Sequence, residues 1–124
     1  MDALGNLFIE GSNYSPEVDF KVNGVLKMKG RALPERTSHL FEALKLWIER
    51  LEVPDVIFDI NMDYLNTSSA MQLLHVLSKL EDNIAVRHIT VNWYYEADDE
   101  EHYDTGVFIS EKLTRTEFHY FITA

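Results

Sequence analysis

The chain has 124 residues, of which 46% are hydrophobic and 26% charged, and this length and composition are those of one globular domain over residues 1–124. It contains no cysteine, which excludes a disulfide framework, a thiolate metal site and a cysteine nucleophile. The formal net charge is −10, so the chain would repel nucleic acids and anionic membranes, and we expect its partners to be proteins.

The N-terminal sequence predicts no export. Residues 1–15 have neither a basic segment nor an apolar one that would form a signal peptide. No apolar run approaches the length of a membrane span. The sequence therefore predicts a cytoplasmic protein without membrane insertion.

The first third of the chain is predicted to form strands. Residues 7–9 are apolar, and residues 18–22 and 26–29 alternate between apolar and polar. The Asn23-Gly24 pair between the last two runs predicts a β-hairpin with a type I′ turn, which requires positive φ at both residues.

Helices and strands alternate in the rest of the chain. Helical spacing of apolar residues predicts helices over residues 36–51, 70–80 and 98–113. Strands are predicted over residues 56–62, 86–95 and 118–122. The order β-β-β-α-β-α-β-α-β predicts an α/β (α+β) fold with one mixed sheet, an N-terminal hairpin and about three helices that largely cover the sheet. Strand 56–62 is expected to be central, and Leu74 and Leu77 are expected to be buried.

Residues 63–69, Asp-Tyr-Leu-Asn-Thr-Ser-Ser, connect the central strand to the second predicted helix. Asn, Ser and Thr are preferred helix N-caps, and Ser69 with Gln72 fits a capping box. Since one such residue suffices as a cap, another in the row can accept a phosphate, which a helix N-terminus stabilises. The residues alone leave both interpretations open.

The run from Glu96 to Asp104 contains six carboxylates. A solvated helix face whose first-turn acids favour the helix dipole would explain such a run. Between the functional interpretations, we predict a protein-docking surface, and a weak divalent-metal site is the alternative. The run does not fit the pattern of an EF-hand loop, and the histidines have no metal-ligand spacing, so we predict neither a metal nor a cofactor. No catalytic motif is present, and the chain is predicted not to be an enzyme.

Four segments in combination resemble a known family. They are IEGSNYSPEVDF (9–20), GRALPE (30–35), DYLNTSSA (63–70) and VNWYYEADDEEHYDTG (91–106). With these segments the chain resembles the SiaC-type regulatory phosphoproteins, which are bacterial domains with a fold like that of STAS and anti-sigma-factor-antagonist proteins. The resemblance implies that a protein kinase phosphorylates Thr67 and that a PP2C-type phosphatase removes the phosphate. It also implies that the unphosphorylated form binds and activates a diguanylate cyclase, which raises cyclic di-GMP and favours biofilm.

The resemblance and the motifs together define a candidate site. Thr67 is the predicted phosphorylation site, with Asn66, Ser68 and Ser69 as its neighbours and possible caps. The candidate docking residues are Tyr64, Leu65, Met71, Tyr94, Asp98, Asp99, Glu100 and Glu101. The alternative is a constitutive STAS-like adaptor in which the hydroxyl groups only cap the helix.

Overall fold

The computed structural model describes residues 3–123, without the side chains of residues 34–36; residues 1, 2 and 124 of the predicted domain lie outside the described residues. The strands are β1 Leu7–Ile9, β2 Glu17–Phe20, β3 Val25–Ala32, β4 Asp55–Leu65, β5 His88–Glu96 and β6 Thr116–Thr123. The helices are α1 Pro34–Glu49, α2 Thr67–Asp82 and α3 Glu100–Lys112. The predicted order of elements is confirmed.

The strands form one mixed sheet in which each strand pairs with the strand before it in the chain. The first three strands are antiparallel neighbours, and β3 to β6 are parallel. Each parallel connection passes through one helix, and β4 is central as predicted. No helix within residues 3–123 has the length and apolar character needed to span a membrane.

The helices cover one face of the sheet, which corrects the expectation of a largely covered sheet. Along β4, Phe58 and Ile60 are buried, whereas Ile57 between them is exposed. On the uncovered face, the carboxylate of Asp59 accepts a 2.8 Å hydrogen bond from the side-chain amide of Asn92. Because Ile57 is apolar although it points outward, this strand has the composition of one that is buried on both faces.

The β2–β3 hairpin forms as predicted, but its turn is not of type I′. Gly24 has a φ of 97°, and no described residue other than glycine has positive φ. The amide of Gly24 donates to the carbonyl of Lys21, and the amide of Lys21 donates to the carbonyl of Val25, both at 3.0 Å. This is a three-residue loop, which needs only one left-handed residue where a type I′ turn needs two. Strand β2 therefore ends at Phe20, before Val22.

The hydrophobic core fills the space between the sheet and the three helices. Its largest fully buried side chains include Trp93, Phe20, Phe41 and Phe58. In α2, Leu74 is 8% exposed and Leu77 is fully buried, which confirms their predicted burial. Helix α2 is therefore held to the sheet along its length by apolar side chains.

Arg115 closes the C-terminal end of α2. One guanidinium nitrogen of Arg115, Nη2, donates to the carbonyls of Leu80, Glu81 and Asn83 at 3.2, 2.7 and 3.3 Å. The carbonyls in the last turn of a helix have no partners within the helix, and a cation there also interacts favourably with the helix dipole. A residue just before β6 thus completes the hydrogen bonding of α2.

Glu81 makes the reciprocal connection from α2 to the segment before β6. Its carboxylate accepts hydrogen bonds from the amides of Thr114 and Arg115 at 3.1 and 2.8 Å, and from the hydroxyl of Thr116 at 2.8 Å. Burial by itself would raise the pKa of Glu81, but these hydrogen bonds outweigh it and lower that pKa below its ordinary value of 4.5. The ionised form of Glu81 is thus part of the folded structure.

Candidate functional site

The connection between β4 and α2 is shorter than predicted. Only Asn66 separates the end of β4 at Leu65 from the start of α2 at Thr67. The predicted connection over residues 63–69 is therefore divided, because its first three residues continue the strand and its last three begin the helix. Thr67 lies at the carboxyl end of a parallel strand, where sites in α/β sheets are concentrated.

A bulge in β4 precedes this connection. Gly30 of β3 pairs with Met62, and Arg31 pairs with Tyr64, so that Asp63 has no partner in β3. Gly30 has a φ of 121°, a conformation that glycine adopts at little cost. Bulges redirect the side chains that follow them. Here the ring of Tyr64 lies 5.4 Å from the guanidinium carbon of Arg31.

Two of the four polar residues at the start of α2 have structural roles. Asn66 is the N-cap, and its Oδ1 accepts a 2.9 Å hydrogen bond from the amide of Ser69. Ser69 is 1% exposed, and its hydroxyl donates to the carbonyl of Ala32 at 3.1 Å. The predicted capping box of Ser69 and Gln72 is therefore wrong, because Asn66 caps the helix and the Ser69 hydroxyl is bound to β3.

Thr67 and Ser68 have hydroxyl groups without a structural role. Both residues are exposed, and neither hydroxyl has a hydrogen-bond partner among residues 3–123. Thr67 is the first residue of α2, where backbone N–H groups lack partners within the helix and the helix dipole is positive. This environment stabilises an anion close to the Thr67 side chain.

A cavity of about 530 Å³ lies between the start of α2 and helix α3. Seven predicted site residues line it: Tyr64, Leu65, Asn66, Thr67, Met71, Asp99 and Glu101. Six further residues that the sequence analysis did not select also line it: Asp63, Ala70, His102, Asp104, Thr105 and Phe108. The polar connection and the acidic run therefore border the same cavity.

The remaining predicted site residues do not line this cavity. They are Ser68, Ser69, Tyr94, Asp98 and Glu100. Tyr94 points to the uncovered face of the sheet, where its ring stacks on Phe121 with 5.4 Å between centroids. It borders a second cavity of about 60 Å³, which shares Asp63, Asp99 and His102 with the larger one.

Helix α3 begins inside the acidic run. Asp99 is its N-cap, and its Oδ1 accepts a 3.0 Å hydrogen bond from the amide of His102. Glu100 and Glu101 lie in the first turn, where the helix dipole favours negative charge. Part of the acidic run thus stabilises the helix start, and Asp99 and Glu101 also face the cavity.

Gly106 allows α3 to lie directly against β5. A Cβ atom at this position would be 2.7 Å from Nε1 of Trp93, a contact shorter than any side chain tolerates. The same indole nitrogen donates a 3.1 Å hydrogen bond to the carbonyl of His102. This close packing fixes the position of α3 and thereby one wall of the cavity.

His102 is a buried titratable side chain in the cavity wall, with 7% of its surface exposed. Its ring stacks on that of Trp93, with 4.9 Å between centroids, and its Nε2 is buried without a hydrogen-bond partner. Burial lowers the pKa of His102 below its ordinary value of 6.5, although the charges of Asp99 and Asp63 act in the opposite direction. Burial therefore favours the uncharged form of the ring.

The cavity lining is acidic. Asp63, Asp99, Glu101 and Asp104 contribute carboxylates, and no lysine or arginine lines the cavity. No group of three or more His, Asp and Glu residues in the described part of the chain is arranged to hold a metal ion. The arrangement can attract a positively charged group from another molecule.

Helical spacing identifies three of the six lining residues that the sequence analysis missed. Glu101, Asp104, Thr105 and Phe108 are spaced i, i+3, i+4 and i+7, so they share one face of α3. The sequence contains this signal, but it does not tell which element the face meets. Asp63 depends on the bulge in β4, for which we found no signal in the sequence.

A family model described as "SiaC family regulatory phosphoprotein" matches residues 9–123. The chain belongs to the SiaC family. SiaC of Pseudomonas aeruginosa has the same fold, with a TM-score of 0.79 and 24% identity over 94% of this chain and 99% of that chain.

Two further relatives extend this comparison. The structure of the diguanylate cyclase SiaD in complex with its activator SiaC, from P. aeruginosa, matches with a TM-score of 0.79 and 25% identity over 93% of this chain and 99% of that chain. An uncharacterized protein of P. aeruginosa strain UCBPP-PA14 is 29% identical over 99 residues, which are 75% of this chain and 78% of the relative. The family resemblance and the mixed α/β fold are thus confirmed, and the chain is a regulatory protein rather than an enzyme.

Proposed function

We propose that this protein is a partner-switching module that binds and activates a diguanylate cyclase when unphosphorylated, and that phosphorylation of Thr67 releases the cyclase. The cyclase is the partner of SiaC in the P. aeruginosa complex, where SiaC is described as its activator. The proposal extends that role to this SiaC-family chain. Its output is the cyclic di-GMP concentration in the cytoplasm, which controls aggregation and biofilm formation.

One observation about Thr67 carries the proposal. Within residues 66–69, Thr67 alone combines a position in the cavity wall with a hydroxyl that has no structural role. Asn66 lines the cavity but caps the helix, and Ser69 is bound to β3. Ser68 is exposed but does not line the cavity. A protein kinase and a PP2C-type phosphatase acting at this cavity would therefore modify Thr67.

A phosphate on Thr67 would change the charge of the docking surface. It adds about −1.5 to −2 charges at neutral pH. The helix N-terminus would stabilise the phosphate in the free protein. The described lining of the cavity adds four carboxylates and no lysine or arginine as a counter-charge. If a partner covered the surface, this charge would have to be desolvated, which is unfavourable without a partner charge. Binding of the cyclase is therefore expected to weaken.

Titration calorimetry against the purified diguanylate cyclase of the same organism tests the proposal. Thr67→Ala should bind the cyclase as the wild type does, because it resembles the unmodified state. Thr67→Glu should lose at least about tenfold in affinity, which corresponds to about 1.4 kcal/mol. Stoichiometrically phosphorylated protein should lose more, since phosphate carries more charge than glutamate.

Ser68→Glu is the matched control, because Ser68 is the neighbouring exposed hydroxyl that does not line the cavity. It should retain the wild-type affinity. Equal losses for Thr67→Glu and Ser68→Glu would point to a general charge effect at the helix N-terminus and contradict the proposal. If phosphorylated and unphosphorylated protein bind the cyclase equally well, the chain is a constitutive adaptor.

A further inference from the structure

The carboxylates of the cavity have no counter-ions among the described residues. Asp63, Asp99, Glu101 and Asp104 line it, and none of them forms an ion pair within residues 3–123. The overall charge of −10 increases the attraction for a cation from outside. Because the described residues contain no arrangement suited to a metal ion, an organic cation fits the site better than a metal does.

The unpaired nitrogen of His102 is a second and independent sign of a missing partner. His102 lines the cavity, is 7% exposed, and has a buried Nε2 without a hydrogen-bond partner. Buried polar atoms in folded proteins are almost always paired. In an uncharged ring that carries its proton on Nδ1, Nε2 accepts a hydrogen bond. His102 therefore places an aromatic ring with an unsatisfied nitrogen in the cavity wall, beside the carboxylates.

The rest of the lining suits a long cationic side chain. Leu65, Ala70, Met71 and Phe108 provide apolar surface for an aliphatic stem. The ring of Phe108 can also interact with a cation, and the Lys112 ammonium of this chain lies 5.2 Å from its centroid. A guanidinium group has five donors in a planar fork, stacks on aromatic rings and is less strongly hydrated than an ammonium group. Arginine thus matches the carboxylates and the aromatic surface of Phe108 and His102 together.

We propose that this cavity is a receptor for an arginine side chain that the partner protein inserts on docking. The identity of the partner as a diguanylate cyclase rests on the function proposed above, whereas the chemistry of the cavity does not. A single guanidinium brings one positive charge to four carboxylates, so the inserted arginine would not also neutralise a phosphate on Thr67. Arginine docking and release on phosphorylation are therefore compatible.

Titration of the isolated, ¹⁵N-labelled protein with N-acetyl-arginine amide tests the proposal. We expect saturable shifts in the NMR signals of Thr67, His102 and Phe108 at probe concentrations up to roughly 50 mM, since one side chain binds with millimolar affinity at best. N-acetyl-citrulline amide, which has the same shape without the charge, should bind at least about tenfold more weakly. The absence of saturable shifts with the arginine probe, or equal binding of the two probes, would overturn the proposal.

Two double variants separate the cavity from the overall charge. Asp63→Asn with Asp104→Asn removes two lining carboxylates and should weaken arginine binding at least about tenfold. Asp98→Asn with Glu100→Gln removes the same charge from residues that do not line the cavity, and should retain binding. An equal loss in both double variants would show nonspecific attraction to the acidic chain and would overturn the site.

The same variants, measured against the cyclase, distinguish failure of this inference from failure of the proposed function. If the cyclase binds the Asp63/Asp104 variant as well as it binds the wild type, the arginine site is wrong while the regulatory function stands. If the cyclase binds no form of the protein but the arginine probe binds the cavity specifically, the site stands and the proposed partner is wrong. Melting curves of each variant confirm that the fold is intact.

Discussion

The two ends of helix α2 use their polar groups in opposite ways. At the C-terminal end, the Arg115 side chain donates hydrogen bonds to carbonyls of α2, and the Glu81 carboxylate accepts one from the amide of Arg115. At the N-terminal end, the hydroxyl of Thr67 and Nε2 of His102 have no partner among the described residues. A satisfied network contributes to stability, whereas unsatisfied groups can be satisfied by another molecule. The C-terminal end of the helix therefore contributes to stability, whereas the N-terminal end has the unsatisfied groups on which the proposed recognition rests.

Removal of the Arg115 side chain should have the largest effect on stability. Arg115→Ala leaves the last carbonyls of α2 without their donors, and we expect a loss of about 2 kcal/mol in the free energy of unfolding. Denaturant unfolding measures this loss. Arg87→Ala, at another exposed arginine, is the control and should change stability by less than about 0.5 kcal/mol. Similar losses in both variants would mean that the network contributes nothing specific.

An intermediate effect is expected at the N-terminal end, where two adjacent residues should differ. Asn66→Ala removes the helix cap and should cost about 1 kcal/mol. Thr67→Ala removes an exposed hydroxyl without a partner and should cost less than about 0.5 kcal/mol. Thermal or denaturant unfolding of the two variants measures both losses. If Thr67→Ala is as destabilising as Asn66→Ala, Thr67 has a structural role that its hydrogen bonding does not reveal.

The smallest effect should be a pH dependence of the free energy of unfolding. As the pH falls, the contribution of His102, near the N-terminal end of α2, should be lost before that of Glu81. The folded-state pKa of His102 is below its ordinary value of 6.5, so the unfolded chain binds the proton more readily. The resulting stability is present above about pH 6.5 and is lost as the pH falls towards the folded-state pKa. Glu81 has a pKa below 4.5, so its contribution is complete above that pH and is lost only in more acidic solution.

Unfolding measurements at several pH values test this difference between the two ends. His102→Gln should remove part of the stability loss that begins near pH 6.5, and Glu81→Gln should alter only the loss below about pH 4.5. Identical pH profiles for the wild type and His102→Gln would mean that burial does not perturb the histidine.

The fold was largely predictable from the sequence because the relevant patterns are local. Alternation and helical spacing report which residues share a face, and they correctly indicated the element order and the burial of Leu74 and Leu77. They do not report what the second face of a strand meets, so the uncovered face of β4 was missed. The predicted type I′ turn of the hairpin was also wrong, because Asn-Gly is compatible with more than one loop length.

The site was predictable only in part, since its parts come from distant segments. Asn66, Thr67 and Ser69 are all residues that can cap a helix, and only the bond from Ser69 to Ala32 of β3 separates their roles. His102 is one of five scattered histidines, and nothing in the sequence distinguishes it from the other four. Its position depends on the contact between Gly106 and Trp93, which spacing along the chain cannot reveal.

The order of strands in the sheet has a consequence for folding during synthesis. Each strand lies beside its predecessor, so the sheet can grow one strand at a time as the chain leaves the ribosome, and no strand has to insert between two that are already paired. Thr67 is synthesised before α3, the other wall of its cavity. If Thr67 is phosphorylated as proposed, a kinase that recognises the assembled cavity would meet its substrate only after most of the protein has been made.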